Sequence, residues 1–256
     1  MVSYGKHLRP LSIATVLLFT VGLGLAFFYA PMDADQGFRQ KIFYLHVPLA
    51  IVAMGGFIAG GVAAIMYLRT NDSKWDLRSY TWIHWSLILA LAALITGSIW
   101  AKTAWGHWWV WEEPTLVSFL IVFLLYCTYQ PLRFSIEDRE KQARYAAVFA
   151  ITAGAFVPLN FMAVRMAQSL SHPRVLGTTD GGLPAKMQLP FYTMILAMTL
   201  FFITITQFEM ASKNARAQMK ALRRRLGGDD EPYRRSAAPA LPMSAATAPT
   251  SPSSPS

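Results

Sequence analysis

Six stretches of eighteen to twenty-two residues, at 11–30, 47–68, 82–101, 115–132, 145–164 and 189–208, contain no charged side chain. Twenty residues of α-helix span about 30 Å, the thickness of a bilayer's hydrocarbon core. The chain is 54% hydrophobic and only 14% charged, against about 25% charged in soluble domains. The deficit comes from these runs rather than from uniform dilution. The pattern predicts an all-α polytopic membrane protein with six transmembrane helices in one domain, 1–210. Residues 211–256 form a tail, first basic (Lys213, Arg216, Lys220, Arg223, Arg224, Arg225) and then rich in Ala, Pro, Ser and Thr after Gly227. That last composition predicts disorder. The first run is too long for a signal-peptide core and is followed directly by Pro31. It reads as an uncleaved helix.

The net charge of +9 would fit a nucleic-acid partner. The placement of the charges excludes it. Of 23 Lys and Arg residues, 17 fall at 1–10, 69–81, 133–144 and beyond 211, all on one side of a six-helix chain. The positive-inside rule makes that side cytoplasmic and puts both termini there. The other side holds Arg39, Lys41, Lys102, Arg165, Arg174 and Lys186. A single cysteine, Cys127, rules out an intrachain disulfide, and no Cys-x-x-Cys-His is present, so the chain is not itself a c-type cytochrome. In the second run, Gly56 and Gly60 at GxxxG spacing, with Gly55 and Gly61 beside them, predict close helix packing. Pro158 is expected to kink the fifth helix.

The outer side carries the chemistry. Four of the eight tryptophans (Trp105, Trp108, Trp109, Trp111) fall within seven residues, with Gly106 and His107 among them and Glu112-Glu113-Pro114 following. His46 closes the 31–46 loop and His172 lies in the 165–188 segment, on the same side. Imidazole is a common axial ligand of haem iron. Indoles offer a flat macrocycle apolar surface, and Arg165, Lys102 and Arg174 are candidate partners for its propionates. Each feature also has a plainer role. Tryptophans gather at membrane interfaces, an interfacial histidine forms ordinary hydrogen bonds, and Arg165 can snorkel. Glu112 and Glu113 suit the positive end of the fourth helix. Arg165, Gln168 and His172, at i, i+3 and i+7, share a face if the fifth helix continues.

The residues Trp105-Gly106-x-Trp108-Trp109-Val110-Trp111 between two apolar runs resemble the tryptophan-rich signature of the haem-handling proteins of cytochrome c maturation. Tyr44-Leu45-His46-Val47-Pro48 and Ser169-Leu170-Ser171-His172-Pro173, one in each flanking outer segment, resemble the two histidine motifs of the haem exporter protein C family, and Ser98-x-Trp100-x-Lys102 also fits. The resemblance covers about residues 10–210. It departs where Glu112 stands for the family's aspartate and Glu113-Pro114 replaces a following arginine. These departures bear on partner contacts more than on haem contact.

The resemblance implies a non-enzymatic subunit of the bacterial inner membrane. Such a protein presents haem b at the outer face, with His46 and His172 as axial ligands and Trp105, Gly106, Trp108, Trp109, Trp111 and Arg165 completing the site. Implied partners are a membrane-anchored periplasmic haem chaperone, ABC-transporter ATPase and permease subunits, a small membrane subunit and lipid. No Walker A sequence is present, so ATP hydrolysis would belong to another subunit. The alternative is a cytochrome c synthase-type haem lyase component. Those relatives are larger, with more helices and a large outer domain, whereas the outer segments here are short. A quinone-linked b-type cytochrome needs histidine pairs within helices, and no run holds two histidines. A haem channel would need polar groups lining the runs, which carry few.

Overall fold

A computed structural model describes residues 7–166, 172 and 183–225. Arg174, Gln168, the remainder of the second histidine motif, the 177–182 stretch and the tail beyond Arg225 lie outside the described residues. The elements are α1 (Leu8–Gly24), ending in a π-turn at Leu25–Tyr29, a 3-10 turn at Phe38–Ile42, α2 (Phe43–Thr70), α3 (Ser73–Trp105), α4 (Pro114–Cys127), α5 (Tyr129–Phe134), α6 (Arg139–Met166) and α7 (Ala185–Arg225). No β-strand occurs among the described residues. Among the described residues six spans are long and apolar enough to cross a membrane, α4 and α5 together making the fourth.

α2, α3, α6 and α7 outrun their uncharged stretches at both ends, because a charge does not itself end a helix. α3 starts nine residues ahead of Trp82. There the Asp72 side chain accepts the Lys74 N–H at 3.0 Å as an N-cap. The Lys74 ammonium 2.8 Å away and that backbone N–H together hold the Asp72 carboxyl below its ordinary range. α2 likewise begins at Phe43, so His46 stands in its first turn and Pro48 lies within the helix. Pro158 sits inside an unbroken α6.

α2 is the shaft of the bundle, and its glycines explain why. Gly56 and Gly60 meet Ser86 and Ile83 of α3, while Gly61 meets Gly154 and the Ala150 carbonyl of α6. A Cβ at Gly60 would lie 2.6 Å from Ile83, and one at Gly61 3.0 Å from the Ala150 oxygen. Adjacent glycines point to different faces, so α2 is seated against side chains of α3 on one face and against the backbone of α6 on the other. In lipid, where apolar faces gain nothing by meeting each other, such packing and interhelical hydrogen bonds drive association. The core adds Phe57 stacked on Tyr126 with ring centroids 3.7 Å apart. Thr15 of α1 meets Thr204 of α7 at 2.7 Å, both buried.

At the 70–81 end, Arg133 grips Asp76 through two parallel hydrogen bonds of 2.7 and 2.6 Å, joining α5 to α3. At the opposite end, the buried Lys41 ammonium donates to the Ala30 carbonyl at 2.6 Å, closing the end of α1. Residues through Asn214 form one compact unit. The second unit's described part, Ala215–Arg225, is exposed helix bearing Arg216, Lys220, Arg223, Arg224 and Arg225.

Candidate functional site

A cavity of about 310 Å³ opens where α2, α3 and α4 meet the tryptophan loop. It lies at the lower end of the range for small-molecule sites. His46, Trp100, Trp105, Trp109, His172 and Gln36 line it, with aliphatic residues and Phe119 completing an apolar wall. Two imidazoles from segments 126 residues apart thus face one cavity.

His46 is held in one tautomer. Its Nδ1 lies 3.0 Å from the Ala93 carbonyl, which can only accept, so Nδ1 carries the proton. Thr96 Oγ1, 3.1 Å from Nδ1, donates its own hydrogen to the α3 backbone and accepts from the same N–H. Nε2 therefore keeps its lone pair, and no described residue hydrogen-bonds to it. A metal-binding histidine is oriented in this way when its other ring nitrogen donates to a carbonyl. The ring lies against α3 because position 97 is glycine: a Cβ there would fall 2.7 Å from His46 Cε1. Trp100 braces the ring edge-to-face, with centroids 5.8 Å apart, and donates its indole N–H to Gln36 Oε1 at 2.7 Å.

On the other wall, Trp105 meets the His172 ring edge-to-face at 6.4 Å. The backbone N–H of His172 donates to Glu113 Oε2 at 3.1 Å, and Glu113 is fully buried. Glu113 occupies the N-cap position of α4 without capping it through its side chain. Its carboxylate crosses to the histidine segment instead. The loop starts from Gly106, which ends α3 in the left-handed region at φ +80°, and Lys102 donates to the Gly106 carbonyl at 2.9 Å. Only glycine takes that conformation without steric penalty.

Of the residues singled out from the sequence, the fold brings His46, His172, Trp105 and Trp109 onto the cavity. Trp108 and Trp111 are 60% and 69% exposed and lie off its lining, as does Gly106. Arg165 packs over the Phe161 ring at 5.2 Å and does not line the cavity. Lys102 is turned to its own loop, His107 is exposed, and His84 stacks on Tyr80 beside Gln130. Sequence reasoning missed Gln36, Gly97 and the crossing role of Glu113. For Gly97 no local signal exists, because a glycine in an apolar run reads as packing. For Glu113 the signal was a carboxylate directly before a helix-starting proline.

The family model described as Heme exporter protein C matches residues 1–225. The chain belongs to the heme exporter protein C family. Similar proteins of that name come from Rhodobacter capsulatus, 29% identical over 88% of this chain and 93% of the relative, and from Escherichia coli K12, 31% identical over 80% and 83%. Another, from Paracoccus denitrificans, is 30% identical over 76% and 81%. With six spans and this family membership, the chain is a polytopic membrane protein.

Proposed function

We propose that this chain binds haem b at the outer face of a bacterial cytoplasmic membrane and presents it, without catalysis, for c-type cytochrome maturation. The observation that supports this most is the tautomer of His46, with its bare Nε2 on an apolar cavity that His172 also lines. The donor set suits a macrocycle better than a bare ion. Among the described residues no group of three His, Cys, Asp or Glu gathers to hold a metal, whereas free divalent ions take three or more protein ligands.

In this reading haem would supply an amphipathic ring and an iron that takes imidazole nitrogens. His46 and His172 would hold the iron. Trp100, Trp105 and Trp109 give the ring apolar contact and exclude water. Trp108 and Trp111, exposed beside the cavity, face the recipient, a membrane-anchored haem chaperone. ABC-transporter ATPase and permease subunits and a small membrane subunit complete the assembly. Both termini and the 211–256 tail lie on the cytoplasmic side, and 1–210 is the membrane domain.

The purified protein should show a haem Soret band that shifts or weakens in His46→Ala and in His172→Ala. Absence of haem binding in the wild type, or unaltered spectra in both variants, overturns the ligand assignment. Reporter fusions at residues 75 and 140 should face inward and those at 110 and 175 outward. An inward-facing fusion at 110 overturns the orientation.

A further inference from the structure

We infer that Gln36 receives a carboxylate of the bound cargo, which fixes the edge by which the cargo enters the cavity. This rests on the haem reading above and assigns the polar end of the same site.

None of the described residues lining the cavity is a lysine or arginine. Three described cations close to the lining in sequence are committed to backbone carbonyls. Lys41 donates to Ala30 and Pro31, Lys102 to Gly106, and Arg39 to Gln36 and Thr103. Among the described lining residues a carboxylate is therefore met by neutral donors.

Gln36 is oriented for that role. An indole N–H can only donate, so the amide atom 2.7 Å from Trp100 Nε1 is necessarily the oxygen. The NH2 end is left over, with two donors and no partner among the described residues. The Gln36 backbone is fixed as well: its N–H donates to Asp33 Oδ1 at 2.7 Å and its carbonyl accepts from Arg39 Nε. An amide N–H on an apolar wall gains from any acceptor brought to it, and most from an ionised one. Trp100 contacts both groups, Gln36 through its N–H and His46 through its ring. One indole thus sets the spacing between the axial nitrogen and the carboxylate donor. A macrocycle with a central metal and carboxylates on one edge matches the pair; one lacking the carboxylates matches only His46.

The test titrates the purified full-length protein with iron protoporphyrin IX and with its dimethyl ester, following the Soret band. Wild type should bind the diacid about ten- to a hundredfold more tightly than the ester, the span of one charge-assisted hydrogen bond. Gln36→Glu keeps an oxygen for the Trp100 N–H but replaces the donors with a negative oxygen. It should lose diacid affinity by a similar factor and bind the ester as wild type does. Equal wild-type affinity for diacid and ester overturns the inference. So does a Gln36→Glu loss that is the same for both ligands, the mark of a merely structural residue. Wild type binding neither ligand overturns the haem reading too; binding both equally, with a Soret band that still responds to His46→Ala, overturns this inference alone.

Discussion

Replacing Gly97 with alanine should disable His46 without unfolding the protein. The added Cβ falls 2.7 Å from His46 Cε1 and 3.3 Å from Nδ1. Carbon atoms pack at about 3.5 Å or more, so the ring must retreat from α3 by about 0.8 Å. The Ala93 carbonyl belongs to the same helix, so the retreat carries Nδ1 from 3.0 Å to about 3.8 Å from it, beyond hydrogen-bond range. Losing that bond costs about 1 kcal/mol, and alanine for glycine in a helix returns about the same. Thermal unfolding in detergent should therefore barely move. Haem affinity, read from Soret titration, should fall about ten- to a hundredfold, the usual cost of removing a ligand's orienting partner. In a His46→Ala background the same substitution should change affinity less than about twofold, since the two act through one ring. Wild-type affinity in Gly97→Ala, or an equal loss in both backgrounds, would refute the reasoning.

Gly106→Ala forces a side chain into φ +80° and should cost about 1–2 kcal/mol, seen as a lower unfolding temperature. Arg133→Ala leaves the partly buried Asp76 without its fork and should destabilise by about 3 kcal/mol in denaturation; Asp76→Asn with Arg133→Met should recover much of the loss. Thr15→Val removes a bond between α1 and α7 and should cost only about 0.6 kcal/mol by the same measurement.

The fold was legible because lipid imposes a coarse rule: six uncharged runs of sufficient length become six spans. Helix ends were less so. The uncharged run at 82–101 leaves the charged residues outside it, whereas α3 starts at Ser73, capped by Asp72, a signal that sits among charged residues. That difference moves Lys74, Asp76 and Arg78 from a loop onto a helix and lets Asp76 meet Arg133. At the site, histidines and tryptophans announce themselves by type. Gln36 does not, because its role depends on an indole 64 residues away. The Glu113 carboxylate accepts from the His172 backbone N–H, a partner 59 residues away. Arg165 drew notice by its charge, and in the fold its guanidinium packs over the Phe161 ring.

The glycine seam of α2 has a consequence at the far end of the helix. Gly61 and His46 are separated by fifteen residues, about 22 Å of helix. Contact with the Ser86 and Ile83 side chains of α3 on one face and with the α6 backbone at Ala150 and Gly154 on the other resists sliding or turning of α2, because any side chain carried into the seam would strike them. The seam is thus an alignment datum: the height and azimuth of the imidazole are set near the opposite end of the helix. A bulky residue at Gly61 should consequently register as a changed iron spectrum, although nothing near the cavity has been touched.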